Sequence, residues 1–237
     1  MVGDFGRAFA VHGHRCASIE PVRARRIAST LGAAALVAGA SLIAPAASAS
    51  ADEDCPDIDV IFARGTGEPP GLGDVGQAFV DALSSKVGAR SVGSYAVNYP
   101  ATLNVLHAAQ GANDVTNHMN YMAGNCPNTR MVLGGFSQGA YVMDIVAGTG
   151  IPSLGFHGAP APDVAGDVGA VAVFGNPSYR LQGAPLSSLS PVFGGKAIDL
   201  CNGNDPICSS GTDRSAHSLY VQSGMVNQAA NFAAARV

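Results

Sequence analysis

From residue 58 onward, short apolar runs alternate with segments in which apolar residues recur every three or four positions. Ile58-Asp59-Val60-Ile61-Phe62-Ala63 is one such run, and it ends in Arg64-Gly65-Thr66-Gly67. That order predicts a buried strand entering a tight turn. Val75 to Val87 has helical spacing, with Val75, Phe79, Leu83 and Val87 on one face. Ser94 to Tyr99 reads as a second strand, stopped by Pro100, and Ala112 to Ala123 as a helix with Val115, Met119 and Met122 on one side. Arg130 to Phe136 is a third strand, followed by a helix over Ala140 to Ala147. Val168 to Phe174 and Lys196 to Leu200 are the fourth and fifth strands, and a last helix runs from about Ser218 to Ala235. The stretches Gly155 to Gly169 and Pro177 to Gly195 read as loops. Strands that are apolar throughout, alternating with helices, predict an α/β fold whose largely parallel sheet is covered on both faces.

The first fifty residues follow a different pattern. Arg7, Arg15, Arg23, Arg25 and Arg26 stand against only Asp4 and Glu20, and Ile27 to Ser50 carries no charge. Leu31 to Ala44 is rich in Ala, Leu and Val, and Pro45 and small residues follow. A basic start, an apolar centre and an Ala-x-Ala end describe a secretory signal peptide. Ala47-Ser48-Ala49 is the best cleavage triplet, so the expected organisation is a cleaved leader over 1–49 and a catalytic domain over 50–237. An uncleaved anchor fits less well, because the apolar core is shorter than the ~20 residues of a span. Arg25-Arg26 matches a twin-arginine signal only weakly, which favours the ordinary export route.

Composition narrows the class. Of 237 residues 47% are hydrophobic and 13% charged, which is ample for a core and excludes a disordered chain. The formal net charge is −4, but residues 50–237 hold 8 basic and 15 acidic side chains, a net of about −7. Lys86 and Lys196 are the only lysines. No basic face can track phosphates, so nucleic acid is excluded as a partner. Of five cysteines, Cys16 falls in the leader and Cys55, Cys126, Cys201 and Cys208 remain. An even number in an exported chain reads as two disulfides. Three pairings are open; the short separation of Cys201 and Cys208 suits a local loop, leaving Cys55 with Cys126. No C-x-x-C pair or suitably spaced histidines suggest zinc, and no metal or other cofactor is expected.

The chemistry concentrates in Gly135-Phe136-Ser137-Gln138-Gly139, which fits G-x-S-x-G between a predicted strand and a predicted helix. That is the context of a nucleophile elbow, where a serine sits on a sharp turn and bulkier flanking residues would collide with backbone. A serine hydroxyl needs an adjacent base. Beyond the leader the histidines are His107, His118, His157 and His217, and only His217 follows the last strand. An acid should lie between Ser137 and His217, and Asp144, Asp163, Asp167, Asp199, Asp205 and Asp213 are available. Asp205 lies within the Cys201–Cys208 segment, where a bridge would pin it; Asp213, four residues before His217, is the runner-up. An oxyanion hole needs one N–H from the residue after the serine, Gln138, and one from an early strand-end loop, where Thr66 fits.

Ala63-Arg64-Gly65-Thr66, Gly135-Phe136-Ser137-Gln138-Gly139, Asn204-Asp205-Pro206-Ile207-Cys208, and His217 with Tyr220 together resemble the cutinase family of secreted serine esterases. The resemblance spans about Cys55 to the C-terminal helix. It implies a compact α/β-hydrolase-type three-layer sandwich around a five-stranded parallel sheet. It further implies Ser137 as nucleophile, Asp205 as orienting acid, His217 as base, Thr66 and Gln138 as oxyanion positions, and disulfides Cys55–Cys126 and Cys201–Cys208. Thr66 departs from the serine common in fungal members, and the loop Gly155–Asp163 departs from a minimal cutinase. The expected activity is hydrolysis of carboxylic esters bearing an acyl chain, by a secreted monomer in transient contact with lipid surfaces. Competing readings are an acetylxylan esterase, a lipase or phospholipase, and an exported binding protein with a vestigial site. Leu181, Leu186, Leu189, Val192 and Phe193 form either an apolar rim or ordinary core.

Overall fold

The computed structural model describes residues 55–151 and 153–237. The expected leader over 1–49 lies outside the described residues.

Five strands, β1 (Ile58–Ala63), β2 (Val92–Ala96), β3 (Arg130–Phe136), β4 (Val168–Phe174) and β5 (Ala197–Leu200), form one sheet in the order β2-β1-β3-β4-β5. Every pairing is parallel. Parallel neighbours need crossovers, and the long ones are α1 (Gly73–Ser84), α2 (Ala108–Asn125) and α3 (Gln138–Val146), while shorter helices join β4 to β5 and α7 (Met225–Ala234) is the last helix. Side chains alternate across β1: Ile58, Val60 and Phe62 join the core under α1 and α7, while Ile61 and Ala63 join the core under α2 and α3. The expected α/β sandwich is the one observed. On the α1/α7 side Phe62, Phe79 and Phe174 pack with ring centroids 6.0–6.4 Å apart. Each such fully buried ring contributes roughly 1.5–3 kcal/mol of transfer free energy.

β1, β3 and β4 match their expected bounds, because both faces of each are buried and the apolar run is the strand. The edge strand β2 is displaced from the expected Ser94–Tyr99. Val97 and Tyr99 are buried, but as part of the loop that leaves the sheet. The last helix begins later than expected. A 3-10 turn over Arg214–Ser218 comes first, and Gly224 takes a left-handed conformation (φ 80°) immediately before α7. The two expected loops contain short helices, α4 (Pro162–Gly166), α5 (Ser178–Gln182) and α6 (Leu186–Leu189). These are too short to show a 3.6-residue pattern. The bridges are Cys55–Cys126 and Cys201–Cys208, with Cα atoms 5.6 and 5.8 Å apart. The first ties the residues before β1 to the end of α2, and the second closes the loop after β5.

Candidate active site

In a parallel sheet the loops leaving the strands' carboxyl ends gather on one edge. Here that edge collects Thr66 after β1, Ser137 after β3, Gly175 after β4 and Asp205 after β5.

Ser137 joins β3 to α3 with φ 55° and ψ −114°, a conformation rarely adopted by a residue with a side chain. Its N–H donates to the Phe174 carbonyl at 2.9 Å, which anchors the turn on β4. The flanking glycines are required by contact. A Cβ on Gly135 would meet the Gly139 carbonyl, and one on Gly139 would meet the Ala63 carbonyl. The strand–turn–helix elbow read from the motif is therefore present in the backbone.

Asp205 is fully buried, and its carboxylate is held by three contacts. Oδ2 lies 2.6 Å from His217 Nδ1 and accepts from the Tyr220 hydroxyl at 2.6 Å, and Oδ1 accepts from the Ile207 N–H at 2.8 Å. Burial first, then Asp205, raises the Tyr220 phenol above its usual range and keeps it a donor. The His217 ring packs on Phe136 at 4.8 Å between centroids. Gly175 (φ 59°) leaves it space, since a Cβ there would come 2.9 Å from the ring. Asp213 does something else. It is exposed, and Oδ1 accepts from the Ser215 N–H and hydroxyl at 2.9 and 2.6 Å, capping the 3-10 turn that carries His217.

The oxyanion candidates also meet. Gln138 is the first residue of α3, so its N–H has no intrahelical acceptor. The Thr66 hydroxyl donates to Gln138 Oε1 at 3.3 Å, and Gln138 Nε2 donates to the Thr102 carbonyl at 2.8 Å. On either side of Thr66, Gly65 donates its N–H to the Glu68 carboxylate and Gly67 donates to the Ala101 carbonyl. Buried Arg64 fixes this turn from below. Its guanidinium donates to the carbonyls of Glu68 (2.9 Å), Val97 (3.3 Å) and Tyr99 (2.8 Å), and the Tyr99 hydroxyl donates to the Arg64 carbonyl. These supporting roles of Arg64, Glu68, Ala101 and Tyr220 were not read from sequence. Of the four, Arg64 and Tyr220 left a signal, Arg64 in Ala63-Arg64-Gly65-Thr66 and Tyr220 three residues after His217.

Two clefts open at Ser137 and share Thr66 and Leu103. One, about 400 Å³, has Val105, Tyr141, Pro177 and Leu181 in its walls. The other, about 560 Å³, is lined by His217, Phe136, Ile207, Glu68 and Asp74. Of the apolar residues between 181 and 193, Leu181 is exposed at the first cleft whereas Leu186 and Phe193 are fully buried, so both readings of that segment apply in part.

The other candidates lie outside this cluster. His118 sits 2.8 Å from buried Asp59 and stacks on Tyr95 at 3.7 Å; His107 meets the Thr102 hydroxyl at 2.8 Å; His157 is exposed. Asp163 is also exposed, and Asp167 lies at the end of α4. Asp144 and Asp199 are bridged by Asn176 Nδ2 at 3.1 and 3.0 Å, and burial pushes them up to about 8 and about 6.

Comparison with known proteins identifies the family. A family model described as Cutinase matches residues 54–237. Phospholipase Culp4 of Mycobacterium tuberculosis is 54% identical over 215 residues, covering 90% of this chain and 93% of that protein. Carboxylesterase Culp1 of the same organism is 45% identical over 220 residues, covering 90% and 97%. Among solved structures, Trichoderma reesei cutinase in complex with a phosphonate inhibitor superposes with a TM-score of 0.60 at 30% identity, covering 77% of each chain. An acetylxylan esterase superposes with a TM-score of 0.65 at 26% identity, covering 77% of this chain and 99% of that one. With its parallel five-stranded sheet and a family match over nearly all the described residues, the chain belongs to the cutinase family.

Proposed function

We propose that this cutinase-family carboxylesterase hydrolyses its substrates through an acyl-enzyme on Ser137, with His217 as base, Asp205 as orienting acid, and the Thr66 and Gln138 N–H groups as the oxyanion hole. The observation that carries this reading is the 2.6 Å contact of Asp205 with His217, on the wall of a cleft that Ser137 also lines. With Nδ1–H donated to Asp205, His217 keeps its Nε2 lone pair free for a proton. His217 takes the Ser137 proton as Oγ adds to the ester carbonyl. The carbonyl electron pair moves onto oxygen, where two N–H groups stabilise it. As the tetrahedral intermediate collapses, the C–O bond to the alcohol breaks and His217 hands its proton to the departing oxygen. Water then adds to the acyl-enzyme by the same route, releasing the acid and restoring Ser137.

The apolar cleft of Leu103, Val105 and Leu181 supports an ester with an acyl chain as substrate. Leu103 is 92% exposed, which suits transient contact with a lipid surface. Two disulfides support export to an oxidising compartment. Among the described residues no helix is long and apolar enough to cross a membrane.

A p-nitrophenyl ester series from acetate to palmitate, run with wild type and Ser137→Ala, tests the reading. We expect turnover by wild type to exceed that of the variant by at least ~10⁴-fold and to favour acyl chains longer than acetate. Undiminished turnover by Ser137→Ala overturns the mechanism. An acetate optimum would favour the acetylxylan esterase reading.

A further inference from the structure

The two clefts that meet at Ser137 differ in charge. The geometry points to a division between them: the uncharged cleft takes the acyl chain, and the acidic cleft takes the leaving alcohol, preferring a cationic alcohol to a neutral one and a neutral one to an anionic one. This inference rests on the active-site reading above and adds the class of alcohol.

The direction follows from proton transfer. His217 must hand its proton to the leaving oxygen, so the alcohol has to depart on the His217 side. His217 lines the second cleft and not the first. Thr66 and Ser137 line both, which puts the reacting carbonyl at their junction and sends the acyl chain the other way, along Leu103, Val105 and Leu181. No lysine or arginine is among the residues lining either cleft. The alcohol cleft instead carries two carboxylates. Glu68 is held in place, because Oε2 accepts from the Gly65 N–H and Oε1 accepts from the Asp74 N–H at 3.1 Å. Asp74, exposed in the first turn of α1, makes no side-chain hydrogen bond among the described residues. A concave site lined by charge of one sign focuses its field, so a quaternary ammonium on the alcohol is drawn in while a sulfonate or phosphate is repelled.

The test compares kcat/KM for the butyrate esters of choline, of 3,3-dimethylbutanol (its uncharged isostere) and of 2-hydroxyethanesulfonate, each divided by its rate of hydrolysis by hydroxide. Choline should rank first and the sulfonate last, spread by roughly tenfold at low ionic strength. The spread should collapse at ~1 M salt, a readout that needs no variant. Asp74→Asn should narrow it and Asp74→Lys, which leaves Glu68 to balance the new cation, should abolish it, in proteins whose thermal unfolding shows them folded. Equal values for the three esters, or the sulfonate ranking first, with turnover still abolished by Ser137→Ala, overturns the assignment of the alcohol cleft alone. Turnover that survives Ser137→Ala overturns the active-site reading and this inference with it.

Discussion

Asp205 and Asp213 lie within twelve residues of His217 on the same stretch of chain, and their surroundings separate them completely. Asp205 is buried and in contact with the imidazole, while Asp213 is exposed and engaged with Ser215. Asp205→Asn should therefore lower kcat by about 10⁴-fold, because the amide no longer holds the reactive tautomer. Asp213→Asn keeps a capping side chain and should leave kcat within about twofold. Steady-state kinetics on one ester reads both. Ser137, His217 and Asp205 could be proposed as candidates because each carries a local signature: a glycine-flanked serine, a histidine after the last strand, and an acid between bridged cysteines. Arg64 and Glu68 were not legible as supports. Arg64 reaches Val97 and Tyr99 only once the sheet has formed, and Glu68 accepts from Gly65 and Asp74 across a turn that leaves no motif.

At the scale of elements, the loop between β2 and α2 works as a tie across the proposed oxyanion hole. Among the described residues Ala101 (φ 50°) and Ser137 are the only non-glycine residues in the left-handed region. That backbone lets successive carbonyls point to the two sides of the site, Ala101 to the Gly67 N–H and Thr102 to Gln138 Nε2. Ala101→Gly should relieve a conformation that costs a residue with a Cβ roughly 1–2 kcal/mol, raising Tm while retaining activity. Ala101→Val places a β-branched side chain where it is least tolerated. It should lower Tm, and kcat more than KM, as thermal unfolding and steady-state kinetics would record. Element boundaries were readable where burial alone sets the pattern, as in β1, β3 and β4. They were not readable at β2, where Val97 and Tyr99 are buried for the sake of this loop.

For the whole molecule, the apolar runs and their alternation with helical segments pointed to the class of fold, while the short helices α4 to α6 and the buried polar cluster around Asn176 stayed hidden. In that cluster Asp144 Oδ2, Ser178 Oγ and Gln182 Oε1 are buried without hydrogen-bond partners among the described residues. Burial pushes Asp144 up from 3.8 to about 8. The folded chain thus keeps a proton there that the unfolded chain releases near the ordinary carboxylate value. Stability should fall as pH rises between about 4 and 8 and then level off, with Asp199 acting in the same direction up to about 6. Denaturant unfolding at pH 5 and pH 8 should record a loss of several kcal/mol, most of it removed in Asp144→Asn. The central claim is that Ser137 is the nucleophile, and covalent labelling tests it most directly. A fluorophosphonate should react once with the folded, disulfide-bonded protein. Peptide mapping should find the adduct on Ser137, and Ser137→Ala should stay unlabelled. A folded protein that resists the reagent, or carries it on another residue, would contradict the account.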